Sequence, residues 1–221
     1  MLLKQSALLV ILVILVSGCV SGVTVKTNGF LNHEYSQFPF ESKSRFFVVL
    51  NPSAENVLLD QEIREKIHRL LTDNGYVIAD RSQSDFTIEY TYGLDKGKII
   101  TETRPEYRPG EVVYRSGIYK QGNQDGTYSG YETTGGYIAH VPVDRVIYTR
   151  HLILRVKDSR KSESNPIWIG ESYSSGVDDD LRASMDYLLV ATFRSFGLDT
   201  KRFRKVLIDL HDEDIRLLRM N

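Results

Sequence analysis

The residue with the most specific chemistry is Cys19, the only cysteine in 221 residues. It directly follows Ser17-Gly18, at the end of the apolar run 7–16, with Lys4 ahead of that run. A thiol is a nucleophile open to alkylation, and with no second cysteine it cannot pair within the chain. The five histidines (His33, His68, His140, His151 and His211) show no HxH, HxxxH or HExxH spacing, so no metal site is assigned. A Ser–His–Asp set could be drawn from His140 or His151 and neighbouring serines and acids, but no Gly-x-Ser-x-Gly elbow supports hydrolysis. Asp178-Asp179-Asp180 offers carboxylates to a hard cation, yet it stands before an apolar helical pattern, where acids favour a helix start. The glycines between 110 and 136 lack the Gly-Lys-Ser/Thr ending of a phosphate loop. The expectation is no catalytic residue, no metal and no cofactor.

Val16-Ser17-Gly18-Cys19 resembles the lipobox of bacterial lipoproteins. The apolar run before it has about ten residues, short of the roughly 20 that a spanning helix needs. The resemblance implies residues 1–18 as a signal peptide, a diacylglyceryl group on the Cys19 thiol, and cleavage that leaves Cys19 as the N-terminus. Each buried CH₂ contributes about 0.8 kcal/mol, so several acyl chains anchor a protein durably. Val20 stands where the enterobacterial inner-membrane retention pattern has an Asp, which favours the periplasmic face of the outer membrane.

The leader carries one lysine and no acid, so the remaining chain is one unit more negative than the formal −1 of the whole. That balance argues against a bulk nucleic-acid binder, which relies on a basic excess. A hydrophobic fraction of 41% and a charged fraction of 26% suit an ordinary globular fold. Tyrosine is unusual: seven of 13 lie between positions 107 and 148.

The elements follow from the periodicity. Residues 19–44 read as a lipid-anchored tether and an irregular lead-in or short edge strand. A single α+β domain then spans 45–210. Arg45-Phe46-Phe47-Val48-Val49-Leu50 is a buried strand stopped by Asn51-Pro52. Leu59, Ile63, Ile67, Leu70 and Leu71 make the stripe of an amphipathic helix closed by Gly75, with His68 at its boundary. Residues 76–79 and 86–92 are strands, the second with strict alternation and a possible continuation over 98–103. About 104–144 lies a Gly/Tyr-rich insertion, either a twisted hairpin with aromatic cross-strand contacts or a mobile loop. Residues 146–158 and 166–171 form a hairpin at the centre of the sheet. Leu181, Met185, Leu188, Leu189, Thr192, Phe193 and Phe196 mark a second amphipathic helix, stopped by Gly197. A strand near 203–208 follows, carrying Lys201-Arg202 and Arg204-Lys205 on a wet face, and 211–221 reads as a frayed tail. The expected architecture is a mainly antiparallel sheet with two amphipathic helices on one face.

The first helix running into Asp73-Asn74-Gly75-Tyr76 is similar to a group of bacterial envelope lipoproteins, the domain-of-unknown-function 4136 family. So are the strand Ser84-Asp85-Phe86-Thr87-Ile88-Glu89-Tyr90, the hairpin Leu152-Ile153-Leu154-Arg155-Val156-Lys157-Asp158 with Pro166-Ile167-Trp168-Ile169-Gly170, and the late helix. The resemblance covers most of 40–200 and implies a periplasmic α+β domain without supplying catalytic residues. The expected function is a non-enzymatic, outer-membrane-anchored lipoprotein that binds an envelope partner or supports envelope integrity. A carrier of a lipid or glycan is the alternative, and an envelope hydrolase the third reading. Tyrosine offers rigid contact area at low entropic cost, so Tyr119, Tyr128, Tyr131 and Tyr137 are the candidate partner-binding residues.

Overall fold

The computed structural model describes residues 22–35, 40–161 and 165–219. Cys19 and the signal segment lie outside the described residues. The chain forms two compact units: one from the residues up to Lys96 together with those from Tyr148 onward, the other Gly97–Ile147. In chain order the elements are β1 (Gly22–Leu31), β2 (Arg45–Val48), α1 (Val57–Asp73), β3 (Val77–Ile78), β4 (Phe86–Leu94), β5 (Lys98–Arg108), β6 (Val112–Gln121), β7 (Gln124–Thr133), β8 (Tyr137–Asp158), β9 (Trp168–Gly176), α2 (Leu181–Phe193), β10 (Arg204–Asp209) and α3 (Glu213–Arg219).

The first unit is α+β, with a sheet in the order β10-β1-β9-β8-β4-β2-β3. The β8–β9 hairpin lies at its centre. The sheet is mixed: β2 runs parallel to both β3 and β4, and the other pairings are antiparallel. Parallel neighbours need a crossover, and α1 supplies it between β2 and β3. Alternate strand residues are buried, including Val25, Phe46, Val48, Ile88, Tyr90, Leu152, Leu154, Val156 and Trp168. They join Ile63, Ile67 and Leu71 of α1 and Met185, Leu188 and Leu189 of α2 in one core. Aromatic edges lock one end of it, where Trp168 and Phe196 stand 4.9 Å apart and Phe40 and Phe86 5.1 Å apart.

α1 begins with Asn56, whose side chain accepts from the Leu59 N–H at 3.0 Å. It ends with Gly75 at φ +82°, which lets Gly75 N–H reach Thr72 O and Tyr76 N–H reach Leu71 O. That pair of bonds satisfies the last carbonyls. The family-like segment after it is fixed by polar contacts. Asp85 binds Arg45 through backbone and guanidinium, and the Ser84 and Thr87 hydroxyls both meet Ser159.

Three expectations change. The lead-in over 19–44 includes an interior strand, since β1 lies between β10 and β9. Its polar Thr27 and Asn28 are buried, and the turn after α2 closes over Asn28 and Gly29. Thr200 accepts from Gly29 N–H through its hydroxyl and donates to Asn28. Gly29 faces Gly170, and a Cβ at Gly29 would strike the Leu198 carbonyl, so this close approach requires glycine. Second, α2 is not amphipathic: every residue from Ser184 to Phe193 is buried. Third, the tail after 211 contains α3, which buries Ile215 and Leu218.

α2 is buried all round because charged pairs hold helices on its flanks. Lys66 of α1, itself buried, lies 2.6 Å from Glu62 and 2.7 Å from Asp186 of α2. Arg219 of α3 reaches Asp186 at 2.9 Å and the Tyr187 hydroxyl, while Arg182 meets Glu62 at 2.7 Å. Burial opposes ionisation of Glu62, but Lys66 and Arg182 outweigh it and hold its carboxyl below the ordinary range. Asp186 raises the already high pKa of the Arg219 guanidinium.

Candidate functional site: a glycine–tyrosine ribbon

The second unit is a two-stranded antiparallel ribbon and resolves the choice left by the sequence in favour of a hairpin. One register runs through it: Lys98 faces Ile147, Arg108 faces Tyr137, Val112 faces Thr133 and Gln121 faces Gln124. Glu111 and Thr134 hydrogen-bond across the break between the two ladders. The ribbon turns at Gly122-Asn123, and Gly122 takes φ +65°, the left-handed conformation that a two-residue hairpin needs at its first central position. No residue from Gly97 to Ile147 is buried.

Register explains why glycine and tyrosine alternate here. Gly117 faces Tyr128 and Gly126 faces Tyr119. A Cβ at Gly117 would lie 2.6 Å from the Tyr128 ring, and one at Gly126 2.5 Å from the Tyr119 ring. Each tyrosine therefore lies over the glycine of the opposite strand, which supplies apolar cover where the glycine has no side chain. Arg115 and Glu132 form a 2.6 Å ion pair on that same face.

The opposite face is different. Val112, Tyr114, Ile118 and Tyr131 share it by register, and Tyr114 and Tyr131 meet edge to face at 5.3 Å. Their exposures are 65%, 57%, 74% and 78%. Both faces thus carry exposed side chains: Tyr119 and Tyr128 lie on glycines on one, with Val113 beside them, and Val112, Tyr114, Ile118 and Tyr131 form the more exposed apolar group on the other.

Of the four candidate tyrosines, the register places Tyr119 and Tyr128 on one face and Tyr131 on the other. Tyr137 lies in the β5–β8 ladder opposite Arg108. Tyr114, Ile118 and Val112 escaped sequence reasoning. Tyr114 and Tyr131 stand equally far from Gly122-Asn123, a signal usable once that dipeptide is read as the turn.

The other candidates take structural places. Asp180 caps α2 by accepting from Ala183 N–H at 2.9 Å, and Asp178 accepts from Asp180 N–H. His68 is half-buried on α1, and burial with nearby Arg64 lowers its pKa. His151 lies against Gly93 with its ring 6.4 Å from Tyr173, while His140 faces Pro105 and is exposed. Among the described residues no group of three His, Cys, Asp or Glu side chains is arranged to hold a metal ion. None of the described helices is long and apolar enough to cross a membrane.

Comparison with known proteins adds the following. No curated protein matches the chain. A solved structure of a PDZ domain protein from Parabacteroides distasonis ATCC 8503 is similar at 17% identity and a TM-score of 0.45, over 85% of this chain and 39% of that one. This chain thus spans well under half the length of that protein, and a similarity of this size carries no argument about function. The model of a family described as a domain of unknown function, DUF4136, matches residues 26–196. That match runs from β1 through the ribbon to the turn after α2, and the chain belongs to the DUF4136 family.

Proposed function

We propose that the protein is a non-enzymatic lipoprotein of the outer membrane, anchored on the periplasmic face through acyl chains on Cys19, and that its ribbon binds an envelope protein. The observation that carries the binding reading is the face formed by Val112, Tyr114, Ile118 and Tyr131. A two-stranded ribbon is marginal in water without a second layer, and exposed apolar residues gathered on one face mark an interaction surface. Ring-on-glycine packing on the reverse face keeps the ribbon extended without a core, so the apolar face is presented ready-formed. The lipobox supports the anchor, and a body tied together by helix-to-helix ion pairs supports a fixed platform.

The test is photo-crosslinking in cells from position 118, in place of Ile118. The expected result is one adduct of defined mass, reduced by Tyr131→Ser and by Tyr114→Ser but not by Glu132→Gln on the reverse face. A ladder of unrelated adducts, or one indifferent to Tyr131, overturns the ribbon as the binding element. For the anchor, Cys19→Ala is expected to move the protein from the membrane fraction to the soluble one. Unchanged fractionation and unchanged gel mobility overturn it.

A further inference from the structure

The outer edges of the ribbon differ along its length. Proline has no N–H to give a ladder, so within a strand it stands with its nitrogen toward an open edge. Pro105 faces His140 and Pro142 faces Thr103, so one proline lies on each edge of the ladder formed by 98–108 and 137–147. Each interrupts the row of donors on which a further strand would bind, a device that keeps sheet edges from pairing. The tip, 112–121 with 124–133, has no proline on either strand. Among the described residues β6 and β7 pair with each other alone, so both tip edges are open over 10 residues. A third strand would stabilise such a ribbon, since two strands alone are marginal in water.

Charge selects the strand that fits. β6 carries Arg115 and Lys120 and no acid, whereas β7 carries Asp125 and Glu132 and no base. Inside one ribbon they meet as Arg115–Glu132 at 2.6 Å and Lys120–Asp125 at 3.9 Å, with all four side chains more than half exposed. A strand like β6 on the outer edge of β7 would meet the same acids from the other side, and a carboxylate has oxygens for more than one donor. Joining β6 to β6, or β7 to β7, would bring only like charges to the seam, which destabilises a sheet. The backbone permits the same register on both sides. Gln121↔Gln124 closes the two-residue turn and exchanges both hydrogen bonds, so pairs an odd number of steps away direct their N–H and C=O groups outward. Ser116↔Ser129, five steps away, is one of these. The outward groups of β6 therefore match those of β7 in the register that already joins the two strands.

We propose, on the footing that the ribbon is the binding element, that its partner is a second copy of this chain. The copies join edge to edge at the tip as one sheet, β6 of one copy beside β7 of the next. The seam repeats the ribbon's own cross-strand pairs, with Tyr114 against Tyr131 and Arg115 beside Glu132. It also brings Val112, Tyr114, Ile118 and Tyr131 of neighbouring copies onto one continuous apolar face. The contact is head-to-tail, so an assembly that does not close into a ring keeps one open edge at each end and takes further copies. Pro105 and Pro142 confine the seam to the tip.

The experiment uses the full lipidated chain in maltoside detergent, with mass read by light scattering after gel filtration. The parent chain is expected to run as dimers and larger assemblies. Ser129→Pro removes a donor from the outer edge of β7 and leaves the inner ladder intact, and Ser116→Pro does the same for β6. Each variant alone is expected to run as a monomer. An equal mixture of the two is expected to form a dimer and nothing larger, because only β6 of the Ser129→Pro chain and β7 of the Ser116→Pro chain can still join. Should either proline disorder the ribbon, separate chains carrying Ser116→Cys and Ser129→Cys keep the test. Mixed under oxidation they are expected to crosslink at twice the chain's mass, as residues facing each other across strands can, and neither is expected to do so alone. A parent chain that stays monomeric, a folded proline variant that assembles like the parent, or cysteine chains that fail to crosslink on mixing overturn the proposal. The in-cell crosslink from position 118 separates this from the ribbon's role as binding element. An adduct at twice the chain's mass supports the second copy. A single adduct of another mass overturns the second copy and leaves the ribbon as the binding element.

Discussion

The two halves of β8 are one strand with two kinds of surroundings. From Arg150 to Asp158 every second residue is buried, whereas from Tyr137 to Ile147 none is. The first arrangement shows what a strand does inside a layered body: even positions enter the core and odd positions stay half-wet. The second shows a strand that pairs, among the described residues, with its hairpin mate alone, so that stability comes from cross-strand pairs rather than from burial. Leu154 and Val143 are thus similar side chains in the same strand with different tasks.

Substitutions should separate these tasks. Leu154→Ala removes a fully buried side chain and is expected to cost about 2–5 kcal/mol, measured by urea unfolding of the body. Val143→Ala is expected to stay within about 0.5 kcal/mol, and an equal cost would show that the ribbon has a core after all. Asp186→Ala leaves Lys66 buried without its partner across the helices and should destabilise by about 3 kcal/mol. Breaking the exposed Arg115–Glu132 pair with Glu132→Ala should cost less than about 1 kcal/mol.

Gly126→Ala is a finer probe of the ribbon. It is expected to displace the Tyr119 ring and cost about 1 kcal/mol, seen as faster amide exchange over 112–133 with the body's exchange unchanged. Retained contacts between the ring and residue 126 would remove the ring-on-glycine account. Acid gives the smallest contrast. The Glu62 carboxyl is held low when folded, so the stability it contributes is present above its ordinary pKa of 4.5 and lost as pH falls through the folded value. Asp158, held low by Arg160, acts in the same direction. Glu62→Gln should therefore flatten the acid limb of Tm against pH for the body.

How much of this was legible depended on whether burial or pairing made the element. Leu59, Ile63 and Ile67 announced α1 because the core reads helix faces at a period that the sequence must respect. Phe86, Ile88 and Tyr90 announced β4 in the same way. The interior place of β1 was missed because Thr27 and Asn28 are buried polar residues, and the Thr200 hydroxyl that donates to Asn28 lies over 170 residues away, where no local pattern discloses it. α2 looked one-sided because Asp186 and Ser184 are polar, yet both are buried, Asp186 against Lys66 and Arg219 of the flanking helices and Ser184 with its hydroxyl donating to the Asp180 carbonyl. α3 is short, and its two apolar anchors fall among charges. In the ribbon, tyrosine clustering identified the right region, but which rings share a face was fixed by register. The burial of Arg150 was invisible, since an arginine in an alternating strand reads as solvent-facing until its parity is matched with Leu152 and Leu154.

The continuous register of the ribbon has a consequence for its length. Each residue of 98–121 has one opposite number in 124–147, apart from the break at 109–111 and 134–136. Chain can be removed in matched pairs from both strands, and two from each strand leaves every remaining ring on its own side. Removing a single residue from one strand would turn the rest of that strand over, and Tyr131 would trade places with its glycine neighbour Gly130. The ribbon is thus a ruler graduated in steps of two, and its own length can be reset by such steps without exchanging its two faces.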